Sequence, residues 1–505
     1  MSLCKKALTL LLVVSMLLPL FVACGETTET PSDTQPQGTV AEEVATEEVD
    51  PFEDVDYGGR AFNIYTSTNI ACTGMGNSNY LIEGEKATTG NLVEDAVLER
   101  NVTVSEKLGV ELVFTQINEP YNTIQDKIRI LGTSGMHEYD LLINDLYPFA
   151  NLSIEGQFLN ILSDECSFDF SKDYWYADYM ADLRLIDGYQ YLLAGDYFID
   201  LIRSAHCLLL NKEIYLDYYK TQPEEVYDWV LNFEWTYDKM NQVITDQWID
   251  LNHNNQKDKG DQYGFLVCEF WGPSIPFTIS GNPNFITRDE FDGTPTISLT
   301  EGQRAGDLAK AMTAIFRNES SSIELTPETE LLQAFTEGQA LIVGYQRLGS
   351  LENSTMRGME GDTAVLPYPM LYASDKQYVT STHDTSELGA IMTTNPDLAF
   401  TSTVIEVLCR ETSKLLMPKY YKEALQIQYV DDSTAASMID IIHDNFRNSF
   451  ALAYNESLGS KILQSFTVCM QEQREFSVVF KSGERSINRT LQSKIKSFKK
   501  SNKIP

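Results

Sequence analysis

At 505 residues the chain is too long for one core of ordinary size, so two or more domains are expected, and a 43% hydrophobic content supplies enough apolar surface to fill them. Its formal net charge of −35 excludes nucleic acid and other polyanions as partners, because phosphate binding needs a basic footprint. The acidity otherwise speaks only to solubility.

The chain opens with Lys5 and Lys6, runs nearly without interruption through apolar residues from Ala7 to Leu20, and reaches Leu20-Phe21-Val22-Ala23-Cys24-Gly25. That order resembles the signal peptide and lipobox of a bacterial lipoprotein. A peptidase would cut after small Ala23, removing residues 1–23, and Cys24 would carry the lipid, palmitate included. As a membrane-spanning anchor the apolar run falls short of the roughly 20 residues required, and Pro19 breaks its end. Residues 24–56 then read as a lipidated cysteine followed by an acidic disordered tether, rich in Thr, Glu, Pro and Gln and without Lys or Arg. The expected location is the extracellular side of the cytoplasmic membrane, held by that lipid anchor.

From Tyr57 the periodicity alternates. Arg60 to Thr66 reads as a strand, Asn91 to Leu108 as a helix stopped by Gly109, Val110 to Gln116 as a strand, Tyr121 to Leu131 as a helix and Tyr139 to Ile143 as a buried strand. This order predicts an α/β fold with a parallel sheet, whose ligands meet the carboxyl ends of the strands. Those ends hold Thr66-Ser67-Thr68 and Asn144-Asp145. Further on, Tyr189 to Leu193, Ala205 to Leu210, Ala340 to Tyr345 and Leu388 to Thr393 read as strands. Gly302 to Asn318, Glu328 to Phe335, Pro396 to Ser413 and Pro418 to Gln428 read as helices, with more helix to the end. Thr236 is placed to cap a helix. The tail reverses sign at Arg485, Arg489, Lys494, Lys496, Lys499 and Lys500, which a solvated helix face explains more simply than a membrane patch.

Few motifs point to catalysis. There is no GxSxG, HExxH or GxxxxGK, and His137, His206, His253, His383 and His443 are scattered. Cys72, Cys166, Cys207, Cys268, Cys409 and Cys469 form no CxxC pair and suit buried thiols. Asp250, Asn252, Asn254, Gln256, Asp258 and Asp261 fall at positions one, three, five, seven, nine and twelve of a calcium loop. Asn255 there replaces the turn glycine and Asp261 the longer Glu, so a structural Ca2+ and a plain solvated turn are both open. Sugar hydroxyls want carboxylates, amides and guanidinium, while sugar C–H faces want aromatic rings. Trp175 within Tyr174-Trp175-Tyr176, Trp271, and Tyr345 with Arg347 supply that mixture. Asp145, Asp196 and Tyr197 follow predicted strands. Core packing competes as an explanation for every aromatic among them.

Several stretches together resemble the extracellular solute-binding lipoproteins of ABC importers, of the larger sugar-binding type (family 1). They are the lipobox at Cys24, Tyr139-Asp140-Leu141, Leu210-Asn211-Lys212-Glu213, Trp235-Thr236, Asp261-Gln262-Tyr263-Gly264-Phe265, Phe335 to Leu341, Leu366-Pro367-Tyr368-Pro369 and Gly389-Ala390-Ile391, in the family's order. The resemblance implies a periplasmic-binding-protein-like type II fold: two discontinuous α/β lobes joined by a hinge, with extra C-terminal helices. By analogy the first lobe takes residues 57–172 plus 374–429 and the second 173–373 plus 430–505. It further implies a monomer with no catalytic residue and no required cofactor. Such a protein closes on a carbohydrate, an oligosaccharide by preference, and delivers it to the transmembrane permease subunits. The competing classes are a secreted glycoside hydrolase and a tethered solute sensor or adhesion module without a permease.

Overall fold

Twelve strands are described in the computed structural model, which covers residues 50–68, 81–119, 121–357, 359, 363–420, 433–447 and 450–504. The leader, the lipobox with Cys24 and nearly all of the tether lie outside these residues, as does the helix expected at Pro418 to Gln428 beyond residue 420. In chain order the strands are β1 (Arg60–Thr68), β2 (Val110–Asn118), β3 (Leu141–Asp145), β4 (Leu192–Leu193), β5 (His206–Asn211), β6 (Tyr263–Val267), β7 (Ile286–Arg288), β8 (Pro295–Ile297), β9 (Ser321–Ile323), β10 (Ala340–Arg347), β11 (Thr363–Leu366) and β12 (Glu387–Ala390).

Two five-stranded sheets organise them. One has the order β2-β1-β3-β12-β4 and the other β11-β5-β10-β6-β9, while β7 and β8 form a separate hairpin. In the first sheet β1 runs parallel to both β2 and β3, as the alternating strand and helix pattern predicts. The sheet is mixed rather than wholly parallel, because β12 returns from the far side of the second sheet and pairs antiparallel with β3 and β4. That strand is Glu387–Ala390, starting one residue before the expected Leu388 and ending three before Thr393. Leu192–Leu193 also belongs to this first sheet.

The local signals behind these elements are visible in the capping groups. Asn91 accepts from the N–H groups of Val93 and Glu94 at the start of helix Leu92–Leu108, and Gly109 ends it at φ +60°. Asn211 caps Lys212–Tyr219, Thr236 caps Tyr237–Ile244, and Asp397 caps Leu398–Glu411. The last helix, Phe476–Ser501, buries Phe480, Ile487, Leu491, Ile495 and Phe498 along one stripe and leaves Arg485, Arg489, Lys496 and Lys500 in solvent. Among the described residues no helix is long and apolar enough to cross a membrane. The five described cysteines are all free thiols.

The two sheets are joined by an extended ribbon. Ala205 pairs antiparallel with Thr382, while His206 N donates to Ser381 O at 2.9 Å and His383 N to Ser204 O at 3.0 Å. A third segment lies alongside, with Thr380 paired to Phe446. A fully buried arginine ties this junction to the segment after β10: Arg203 holds Glu352 through Nε and Nη2 at 3.0 Å each, and Tyr420 also donates to Glu352.

Candidate functional site

The second sheet presents a wall built around a defect in β10. Its pairing with β5 runs to Val343–Leu209 and resumes at Gln346–Cys207, so Gly344 and Tyr345 form a bulge. Only glycine fits at the first position, because a Cβ on Gly344 would lie 2.8 Å from Val267 Cγ1 and 2.9 Å from the Phe265 ring. Tyr345 follows at φ +59°, a backbone that a bulky residue adopts only when its surroundings enforce it. Its N–H donates to the hydroxyl of buried Tyr368 at 2.9 Å.

The bulge places the Tyr345 ring among polar partners. It stacks on His206 with centroids 5.7 Å apart and planes at 17°, and its Oη meets His383 Nε2 at 3.2 Å. The helix Trp271–Ser280 begins beside it: a Cβ on Gly272 would come within 2.8 Å of Tyr345 Oη. Glu269 closes that turn by accepting from Gly272 N at 3.1 Å. Arg347, buried at the end of β10, has Nη2 3.9 Å from Glu328 Oε1. Burial, the neighbouring His383 and Arg347 together hold the His206 pKa well below the usual histidine range, so this imidazole is neutral. Its Nδ1 meets Ser381 Oγ at 3.0 Å. Burial works against ionisation of Asp384, but its contact with His383 Nδ1 at 2.9 Å prevails and keeps its pKa below the ordinary value.

The first sheet contributes a different edge. Asp145, at the end of β3, is buried at the head of helix Leu146–Ile154. Leu146 N donates to Ser386 O at 2.8 Å and Tyr147 N to Asp384 O at 3.3 Å, which sets this turn against the segment that carries His383. Thr66 is fully buried, and its hydroxyl has no hydrogen-bond partner among the described residues; Ser67 continues β1 opposite Ile117.

Of the residues singled out in the sequence, Tyr345 and Arg347 thus share the end of β10, Trp271 begins the helix whose Gly272 abuts the Tyr345 ring, and the turn that follows Asp145 adjoins them through Tyr147 N and Asp384 O. Trp175, Asp196 and Tyr197 do not join them. Trp175 is 4% exposed, packs edge-on against Phe168 and Phe170, and gives its indole N–H to Glu406 at 2.9 Å. Tyr197 is fully buried beneath the Arg100 guanidinium, so it is a core residue. Asp196 is buried and accepts from Tyr176 at 2.9 Å, and burial pushes its pKa up to about 6. His206, His383 and Tyr147 escaped the sequence reading. The histidines looked scattered because the ribbon that joins them pairs segments far apart in the chain.

The candidate calcium loop closes where Ile249 pairs with Gln262. Asn255 stands at φ +60° in the place of the turn glycine, and Asp250 accepts from the N–H groups of Asn254 at 3.3 Å and Asn255 at 2.6 Å. The Asp258 carboxylate faces the Asn252 amide at 3.0 Å and the Asn254 amide at 2.5 Å. These oxygens thus accept from N–H groups of the loop itself, and the Asp261 carboxylate likewise receives Trp248 Nε1 and Leu251 N at 3.2 Å and Asp258 N at 3.3 Å. Among the described residues no group of three or more His, Cys, Asp or Glu side chains is placed to hold a metal ion.

No protein-family model and no curated protein sequence matches the chain. Solved structures do. A maltose/maltodextrin-binding domain from Bdellovibrio bacteriovorus, bound to maltotriose, is 11% identical with a TM-score of 0.51, covering 86% of this chain and 100% of that one. A cyclo/maltodextrin-binding protein complexed with maltotetraose is 13% identical with a TM-score of 0.53, covering 88% of this chain and 97% of that one. An ABC transporter solute-binding protein from Thermotoga lettingae, bound with α-D-tagatose, is 11% identical with a TM-score of 0.52, over 86% and 100% of the two chains. The fold is therefore that of the two-lobed, periplasmic-binding-protein-like solute-binding proteins of the maltose-binding kind.

Proposed function

We propose that the protein captures a carbohydrate between its two lobes and hands it to an ABC permease, with no chemistry of its own. One observation carries the reading: Tyr345 meets His206 and His383 at the strand ends of the second sheet, with Arg347 two residues on and the helix begun by Trp271 alongside, next to the turn that follows Asp145 of the first sheet. Rings, a guanidinium and carboxylates carried on neighbouring strand ends match a polyhydroxylated ring with apolar faces. The structural neighbours are bound to maltotriose, maltotetraose and tagatose, which supports a sugar and favours an oligosaccharide. Membership of the sheets suggests a first lobe of residues 57–204 and 383–420 and a second of 206–382, with the C-terminal helices lying against both. Cys24 would tether the monomeric head by lipid on the outer side of the cytoplasmic membrane.

A thermal-shift screen over a sugar library tests this, because a ligand that binds only the folded state stabilises it by about 2.7 kcal/mol at a hundred times its Kd. An unmoved midpoint with every sugar refutes capture, and release of shorter products indicates a glycosidase. Calcium held by Asp250, Asn252, Asn254 and Asp258, with the Gln256 carbonyl and with Asp261 closing the loop, is part of the proposal. Chelator should lower the unfolding midpoint; an unchanged midpoint refutes the metal.

A further inference from the structure

A second opening lies on the other face of the ribbon. Successive residues of an extended segment point to opposite sides. Ser381 and His383 turn toward His206 and Tyr345, whereas Thr382 Oγ1 meets Tyr179 Oη at 3.2 Å on the reverse side. There a cavity of about 420 Å3 is walled by Trp175, Tyr176, Tyr179 and Phe446, with Lys172, Asp173 and Asp444 also among its lining residues. The Tyr176 and Phe446 rings stand 5.6 Å apart at 46°, and the Asp178 and Arg447 side chains form an ion pair at its rim. One wall belongs to the first lobe's side, because neighbouring Tyr174 and Trp175 both donate to Glu406 in helix Leu398–Glu411. The opposite wall follows helix Ser433–His443, which packs against β11 of the second sheet.

We infer that this pocket is a second binding site, taking one or two neutral sugar rings, and that its occupancy is coupled to the cleft. Its volume falls in the range of small-molecule sites, and it offers aromatic faces with an adjoining carboxylate and guanidinium. Lobes that turn about a ribbon narrow the opening on one side as they widen the one behind. An occupant of the rear pocket therefore favours the closed cleft, and by reciprocity a closed cleft favours that occupant. The pocket itself stands independently of the cleft reading.

Calorimetric titration of the full folded head with maltose, cellobiose and lactose tests the site in wild type and in three variants, each first matched to wild type by melting temperature and circular dichroism. Arg447→Ala and Tyr176→Leu address the pocket, and Trp271→Ala addresses the cleft. The expected result is one class of sites weakened at least tenfold by either pocket substitution and another weakened by Trp271→Ala, with the pocket variants also loosening the second class several-fold. Heats unaffected by both pocket substitutions, or no heat with any of the three sugars, overturn the site. Heats lost with the pocket substitutions alone uphold it and count against the cleft.

Discussion

The two sheet edges that meet at the ribbon are built from unlike materials. The second sheet offers a partly exposed tyrosine on a bulge, a tryptophan at a helix start and a buried arginine, while the first offers buried Thr66, Asn144 and Asp145 with Tyr147 behind them. Under the proposed function the contrast teaches a division of labour: one lobe would supply area and stacking and the other acceptors, so that affinity for a sugar would rest on bringing the two edges together.

The largest break in that contrast is the double substitution Trp271→Ala with Tyr345→Ala, which removes the aromatic wall. It should weaken sugar binding by about 3 kcal/mol or more, a hundredfold or greater, as read by calorimetry. If instead affinity is kept, the second edge is not the reading surface.

Below the edges the contrast recurs in two buried ionisable groups of opposite sign. Asp196, on the first side, has its folded pKa raised to about 6 from 3.8, so the fold holds its proton more tightly than the unfolded chain does. Its contribution is fully present below the unfolded value and is lost as pH climbs toward 6, a change of up to about 3 kcal/mol. Asp196→Asn keeps an acceptor for Tyr176 and should stabilise the protein at pH 7 while changing little at pH 4, in urea melts at the two pH values. Equal effects at both would remove the titration. His206, on the second side, behaves in reverse. Its folded pKa lies well below the unfolded one, so stability is present above the unfolded pKa and is lost as pH falls through it. His206→Gln should flatten the decline of the melting temperature between pH 7 and 5, and an unaltered decline would point to other groups.

A smaller effect belongs to the first edge. Replacing Asp145 with Ala should cost about 1.5 kcal/mol of binding, roughly tenfold, through one lost charged acceptor. A loss as large as that of the aromatic pair would erase the division of labour.

Much of this arrangement was legible before any coordinates, wherever the signal was local. Asn91, Gly109 and Thr236 mark helix ends by chemistry confined to a few residues, and the alternation from Arg60 to Ile143 carries its parallel pairing with it. Trp271 stands a few residues beyond β6 and Tyr345 and Arg347 at the end of β10, near the strands from which the sequence picked them out. What could not be read depends on pairing across the chain. His206 and His383 become neighbours only through the ribbon, and β12 reverses direction for the same reason. Tyr197 misled because an aromatic after a strand looks alike whether it faces a cleft or fills a core, and here it lies fully buried under Arg100. Trp175 packs on Phe168 and Phe170 and gives its indole N–H to Glu406.

The central claim is that two lobes turn about this ribbon to close on a solute. Small-angle X-ray scattering of the folded head, with and without a sugar identified by thermal shift, tests it most directly. The radius of gyration should fall on saturation, and should fail to fall in the Trp271→Ala, Tyr345→Ala double variant. An identical profile for free and saturated wild-type protein would contradict the clamp.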